Sequence, residues 1–249
     1  MKIACIAMVR NEADIVETFV RHHLEIADTM VVVDHASNDG TPAVLAALEA
    51  ECPRLTVLCE RGQALDQTLV TTRRMRAAAR DLGADWILPL DADEFLVAGT
   101  KEARTAIEAL PADRYHRIPM RTYVPRPDDP GDAPTVLDRI QYRRLTELSV
   151  KYKIIVPGAL AALRDVEVKV GNHALRRRRM FWSRTLPSAD AEKLFIAHFP
   201  VRSTEQIMGK VILGWLARCA SPEQKGTRNW HLRELFEKFR SGALPSPAD

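Results

Sequence analysis

A chain of 249 residues, 46% hydrophobic and 28% charged, is long enough to bury a substantial core and lies well outside disordered or collagenous compositions. Its formal net charge is only +3, so the position of the arginines says more than their number. They gather at Arg73-Arg74 with Arg76, at Arg143-Arg144 and in the run Arg176 to Arg179, each either a solvated face or a contact for phosphate, nucleic acid or an anionic membrane surface.

The four cysteines, Cys5, Cys52, Cys59 and Cys219, show no C-x-x-C spacing, and Cys5 lies in an apolar segment where a thiol acts as a small hydrophobe. No disulfide framework is expected. Met1-Lys2 leads straight into a short strand pattern rather than a cleavable signal, and no stretch approaches the roughly 18 apolar residues of a membrane span. The expectation is a cytoplasmic protein, with peripheral membrane contact left open.

Along the chain, Ile3 to Val9 is a short apolar run ended by Arg10-Asn11-Glu12, which suits a buried parallel strand followed by a loop. Residues 12 to 26 read as a helix, and Thr29 to Asp34 as a second buried strand. The turn-rich string from His35 to Thr41 follows, and Thr41-Pro42 opens the next helix, since proline is tolerated in a first turn. Leu55 to Cys59 is a third strand. A helix over about residues 67 to 82 leads to a fourth strand, Asp85 to Leu90, which ends at Asp91 and Asp93. Beyond residue 100 the pattern is less regular. Strand-like pieces fall near 114 to 124, 150 to 156 and 193 to 199, and a Pro- and Asp-rich surface loop covers 125 to 134. Two amphipathic helices, 203 to 219 and 227 to 240, close the chain, the first opened by Ser203 with Gln206 three residues on.

Strict alternation of strand and helix over the first 90 residues predicts an α/β fold with a mainly parallel sheet and helices on both faces, in which ligands bind beyond the carboxyl ends of the strands. Asn11-Glu12, Asp34 and Asp91-Ala92-Asp93 all sit at such ends, so three polar clusters converge on one rim. Carboxylates at i and i+2 just past a buried strand project oxygen ligands of the kind that Mg²⁺ or Mn²⁺ prefers. Glu94-Phe95 adds a further carboxylate and a hydrophobic plug for the loop.

With these motifs in hand, the chain resembles family-two glycosyltransferases of the GT-A type, in the branch with Asp-x-Asp-Glu-Phe and a later His-Phe-Pro-Val-Arg-Ser. The resemblance rests on Val9-Arg-Asn-Glu12, on Asp34-His-Ala-Ser-Asn-Asp-Gly-Thr41, on Leu90-Asp-Ala-Asp-Glu-Phe95 and on Ala197-His-Phe-Pro-Val-Arg-Ser203, which together span most of the sequence. It implies one GT-A-like domain with a Rossmann-like nucleotide-sugar and metal-binding half over 1–99, an acceptor-side half over 100–202 and a C-terminal helical extension over 203–249. It implies further that Asn11, Glu12 and Asp34 line the nucleotide pocket, that Asp91 faces the ribose as well as the metal, and that Asp91, Asp93 and His198 form the set that binds Mn²⁺ or Mg²⁺. His35 departs from many members and is left out of the set.

Lys153 and the segment Gly171-Asn172-His173 also resemble positions recurring in that branch, and Arg74 and Arg202 are within the scope of a diphosphate contact. His173, Asp165 and Glu167 are candidates for the general base that deprotonates an attacking hydroxyl, with His173 the one carried forward. The implied activity is metal-dependent transfer of a sugar from a nucleotide-diphosphate donor, a UDP-sugar foremost, to a hydroxyl on a glycan, a lipid-linked or a small-molecule acceptor, without nucleic acid. The alternatives are a metal-dependent nucleotidyl- or phosphoryl-transferring enzyme and a non-catalytic module for anionic ligands. The former lacks the glycine-rich phosphate loops of its class.

Overall fold

The computed structural model describes residues 1–60, 67–99, 102–148, 151–220 and 230–242. In chain order the elements are β1 (Ile3–Val9), α1 (Val16–Ile26), β2 (Thr29–Asp34), α2 (Thr41–Glu51), β3 (Leu55–Cys59), α3 (Gln67–Arg80) and β4 (Trp86–Leu90). Then follow β5 (Glu94–Ala98), α4 (Ala103–Glu108), β6 (Tyr115–Thr122), α5 (Val136–Arg139), β7 (Tyr152–Pro157), α6 (Gly158–Ala161), β8 (Val166–Val168), β9 (Leu175–Arg179), β10 (Trp182–Thr185), β11 (Ser188–Asp190), β12 (Leu194–His198), α7 (Thr204–Ala220) and α8 (Trp230–Arg240). Residues 227–229, expected as the start of the last helix, lie outside the described residues.

The predicted alternation is present: β3, β2, β1 and β4 pair in parallel, with Val9 opposite Asp34 and Asp34 opposite Cys59. From β4 the sheet continues through β7, β6, β12 and β5, and its second half is antiparallel where β4 meets β7, β6 meets β7, and β12 meets β5. A separate three-stranded sheet is formed by β10, β9 and β8. By contact the chain groups into two compact units, residues 1–121 with 146–198, and residues 122–145 with 199–249.

In the first unit, β1 and β4 are apolar along their length because both faces of the sheet are covered. Met75 and Ala78 of α3 pack with Ile6, Ile87, Ile154, Val156, Val166, Val168 and Leu175 in one buried cluster. Phe19 of α1 meets Phe95 edge to face at 6.1 Å and is fully buried. Cys5, Cys52 and Cys59 are free thiols, and burial pushes that of Cys5 up. No described helix is long and apolar enough to cross a membrane. In the second unit the guanidinium of Arg202, 1% exposed, donates to the Phe199 carbonyl at 3.1 Å. Its own carbonyl accepts from Arg139, so Arg202 is built into the packing of that unit.

Strand β5 lies at one end of the sheet order, and two adjacent histidines of α1 reach its backbone. His22 Nε2 donates to the Leu96 carbonyl at 2.8 Å, and the Leu96 N–H donates to His23 Nε2 at 3.3 Å. His23 Nδ1 in turn donates to the Phe19 carbonyl at 2.9 Å, so its two ring nitrogens need the neutral tautomer protonated at Nδ1. Burial first, and the neighbouring His22 second, lower its pKa from 6.5 to about 3.

The folded state therefore refuses a proton that the unfolded chain accepts between pH about 6.5 and about 3. Stability conferred by His23 is complete above that window and falls as pH drops through it, by up to about 1.4 kcal/mol per pH unit. Urea unfolding at pH 7.5 and pH 5 is expected to show this slope, and His23→Gln, neutral throughout, to flatten it; an identical slope in the variant would assign the effect to other groups.

Candidate metal and nucleotide site

The rim at the carboxyl ends of β1 and β2 is stitched by a chain of hydrogen bonds. Asn11 takes a positive φ of 55°, which asparagine tolerates, and its N–H donates to the Ser37 hydroxyl at 2.9 Å. That hydroxyl and the Ser37 N–H both donate to Asp34 Oδ1. The Asn11 side chain is occupied at both ends, donating to Asn38 Oδ1 at 2.8 Å and accepting from the Asn38 N–H at 2.9 Å. The Glu12 N–H donates to the Thr41 hydroxyl at 2.9 Å. Asn11 and Glu12 thus hold the first loop against the second, and Asp34, 5% exposed, is presented between them.

Beside this rim lies a small pocket lined by Met8, Val33, Val70, Arg74, Leu90 and Asn172 among others. Arg74 donates from its terminal nitrogen to Glu60 at 3.2 Å, while its buried Nε has no hydrogen-bond partner. A buried donor left unmatched in a cleft wall is a place for an acceptor on a ligand.

At the end of β4 the loop closes on itself: the Asp91 N–H donates to Glu94 Oε2 at 3.0 Å and the Glu94 N–H to the Asp91 carbonyl at 3.1 Å. Lys153 of β7, 1% exposed, sends its ammonium to Asp91 Oδ2 at 2.6 Å, to Glu94 Oε1 at 3.0 Å and to the Gly171 carbonyl at 2.8 Å. Asp91 Oδ1 accepts from Gln67 at 3.2 Å and from Asn172 at 3.5 Å. Burial alone would lower the Lys153 pKa, but Glu94 and Asp91 outweigh it and keep the ammonium charged. Burial, and after it the negative charges of Asp91 and Asp93, push the Glu94 carboxyl well above its usual range against the pull of Lys153.

Asp93 and His198 are brought together as the motifs imply, with His198 Nε2 3.8 Å from Asp93 Oδ2. Asp93 sits in the turn that leads into β5, and β5 pairs with β12, His198 standing opposite Glu94, the residue after Asp93. The third acid within reach is Glu94: one ligand atom from each of Asp93, Glu94 and His198 falls within 4.8 Å of the others. Asp91, expected to ligate directly, is outside this group because Lys153, Gln67 and Asn172 hold its carboxylate. Adjacent and opposite ligands of an octahedral ion with bonds of about 2.1 Å stand roughly 3.0 and 4.2 Å apart, so the 3.8 Å pair lies between the two spacings and a side-chain shift of under an ångström would bring it to either. Three carboxyls against one ammonium leave two negative charges in surplus when all ionise, a surplus that a divalent cation offsets.

Gly171 takes φ 76° and abuts the His173 ring so closely that a Cβ there would come within 2.5 Å of Nε2. His173, exposed as a residue, donates from Nδ1 to the Tyr152 carbonyl at 2.7 Å. Desolvation of its packed ring, and to a lesser degree the Lys153 charge, lower its pKa. It stands next to Asn172, which touches Asp91, whereas the two rival bases are committed elsewhere. Asp165 pairs with Arg177 and Arg179, and Glu167 with Arg176 and Arg178. Sequence reasoning left Gln67 unmarked and gave Glu94 no ligand role; the helix-end position of Gln67 after a patternless segment carries no signal of its own.

Removing the Lys153 charge strands buried carboxyls, a change that typically costs ~3–5 kcal/mol. Lys153→Met is expected to lose stability on that scale in urea, and Lys153→Met with Glu94→Gln to recover much of it. Additive losses in the double variant would deny the coupling.

No protein-family model and no curated protein matches the sequence. Among solved structures the chain is similar to mannosyltransferase PcManGT from Pyrobaculum calidifontis in complex with GDP-Man and Mn²⁺, at 23% identity, covering 51% of this chain and 36% of that one, with a TM-score of 0.34. It is similar to S. aureus TarS 1–349 in complex with UDP-GlcNAc, at 14% identity, covering 88% and 66%, with a TM-score of 0.47. It is also similar to glucosyl-3-phosphoglycerate synthase from Mycobacterium tuberculosis in complex with Mn²⁺, UDP and phosphoglyceric acid, at 14% identity, covering 49% and 43%, with a TM-score of 0.34. The chain spans between about one third and two thirds of the length of these three.

Proposed function

We propose that the chain is a metal-dependent glycosyltransferase that moves a sugar from a nucleoside-diphosphate donor, a UDP-sugar foremost, to a hydroxyl acceptor. The observation that carries this reading is the meeting of Asp93, Glu94 and His198 at the carboxyl end of the parallel half. In it, Asp93, His198 and Glu94 hold Mn²⁺ or Mg²⁺, which when bound neutralises diphosphate charge as the leaving group departs. Asp34 accepts hydrogen bonds from the nucleoside, and Arg74 offers its unmatched Nε to the donor. Asp91, oriented by Lys153, Gln67 and Asn172, faces the donor as a fixed acceptor rather than as a ligand. His173 takes the acceptor proton, on Nε2, since Nδ1 carries the hydrogen donated to Tyr152. A glycan, a lipid-linked or a small-molecule hydroxyl serves as acceptor, and the reading sets the protein in the cytoplasm.

The test is a thermal-shift screen of nucleotide sugars with and without Mn²⁺, because a ligand that binds the native state raises the melting temperature by mass action. One donor class is expected to stabilise the protein only when Mn²⁺ is present. Stabilisation by nucleoside triphosphates with no response to any nucleotide sugar would favour nucleotidyl transfer instead.

Two substitutions separate the metal from the nucleoside. Asp93→Asn and His198→Ala are each expected to weaken Mn²⁺ by roughly tenfold or more, with the fold intact by circular dichroism. Asp34→Ala is expected to weaken the nucleoside diphosphate in EDTA, where no cation can compensate, and calorimetry reads that loss directly. Unchanged Mn²⁺ affinity in both site variants would remove Asp93 and His198 from the metal shell, and unchanged nucleotide affinity would make Asp34 a loop brace only.

A further inference from the structure

The small sheet ends in a tight hairpin with an unusual tip. Arg179 pairs with Trp182, so the turn between β9 and β10 consists of Met180 and Phe181 alone. Two-residue hairpin turns favour Gly, Asn and Asp at positive φ, yet neither residue here takes a positive φ. Met180 is 88% exposed, Phe181 90% and Trp182 47%. Three consecutive large apolar side chains at the apex of an exposed hairpin serve no turn geometry and no core, the pattern of a contact surface.

The strands beneath the tip are strongly basic. Residues 164 to 185 hold seven arginine and lysine side chains against two carboxylates, Asp165 and Glu167. The register places Arg177, Arg179, Trp182 and Arg184 on one face, with the Arg179 guanidinium 5.8 Å from the Trp182 ring, and Arg176 and Arg178 on the other. Asp165 is shared by Arg177 and Arg179, and Glu167 by Arg176 and Arg178, so each carboxylate is met by two arginines.

We propose that this hairpin docks the protein on an anionic phospholipid bilayer, Met180, Phe181 and Trp182 entering the interfacial layer while the arginines bind the lipid phosphates. A polar interface suits each part: tryptophan favours the headgroup level, arginine stems lie along apolar surface with their charge in water, and basic side chains are drawn to anionic leaflets. Single-stranded nucleic acid matches the arginines and aromatics but gives no use to an exposed Met180 at the apex. The hairpin also has a defined relation to the site. β9 begins just after Gly171, Asn172 and His173, and its five residues set the tip about 15 Å from that loop. Docking therefore carries Asp91 and Lys153, which touch Asn172 and Gly171, to within a short span of the membrane surface. The inference rests on the hairpin and holds whatever reaction the site performs.

Sedimentation of the full chain with vesicles of phosphatidylcholine alone, and of phosphatidylcholine with about one third phosphatidylglycerol, tests it. Binding is expected with the anionic vesicles only, falling as salt is raised. Met180→Ser with Phe181→Ser is expected to lower partitioning about tenfold or more while leaving the melting temperature unchanged, and Arg184→Gln, which leaves the arginines paired to Asp165 and Glu167 in place, to lower it by a smaller factor. A blue shift of tryptophan emission on vesicle addition should vanish in Trp182→Phe. Equal binding to neutral vesicles, or anionic binding unaltered by the tip variant, would overturn the proposal. So would a tip-dependent dimer in light scattering without vesicle binding, or capture of a single-stranded RNA oligonucleotide that vesicles fail to displace.

Discussion

One buried ammonium organises this site. Lys153 comes from the start of an antiparallel strand, and its three partners come from the end of β4, the start of β5 and the link between β8 and β9. An ion with water excluded must find all its partners in the protein, and a lysine offers three donors. Here the three are met by two carboxylates and a carbonyl, so the charge fixes at once the loop carrying Asp93 and the loop carrying His173. The parallel half of the sheet supplies the rim, but the antiparallel half supplies the cation that sets its geometry.

This arrangement divides labour between carboxylates that look equivalent in sequence. Asp91 and Asp93 are two residues apart, yet Asp91 is drawn into the Lys153 network while Asp93 faces His198 across the β5–β12 pairing. Glu94 belongs to both sets, bridged to Lys153 and within reach of Asp93 and His198. Its raised pKa comes first from burial and then from the neighbouring charges of Asp91 and Asp93, which Lys153 only partly offsets. A cation entering the group would favour the ionised form of Glu94 over the protonated one.

The strands that carry the rim were legible because their apolar runs are short, clean and bounded by turn residues: Thr29–Asp34 and Leu55–Cys59 fall where the pattern puts them. Polar residues at three such ends converge for a topological reason that needs no coordinates. Other parts were not legible. Glu94 and Phe95 read as a loop plug, since a carboxylate opens the segment, but its burial beside Lys153 makes it the first residue of β5. Four consecutive arginines carry no apolar alternation, and it is pairing with β8 and β10, with Asp165 and Glu167 offsetting the charge, that makes Leu175–Arg179 a strand. The place of Asp91 depended on Lys153, 62 residues away, a contact that no local pattern encodes.

The histidine pair on β5 has a consequence for the behaviour of the protein at high concentration. A strand at the end of a sheet ordinarily presents a ladder of open N–H and C=O groups on which a second chain can template. At Leu96 both groups facing away from β12 are taken by imidazoles of α1, and the helix carrying them lies against the strand. Proteins commonly guard such margins with lysines, prolines or bulges. Here two imidazole rings do so from within the fold, and the strand that bears a candidate metal ligand is thereby withheld from intermolecular β-pairing.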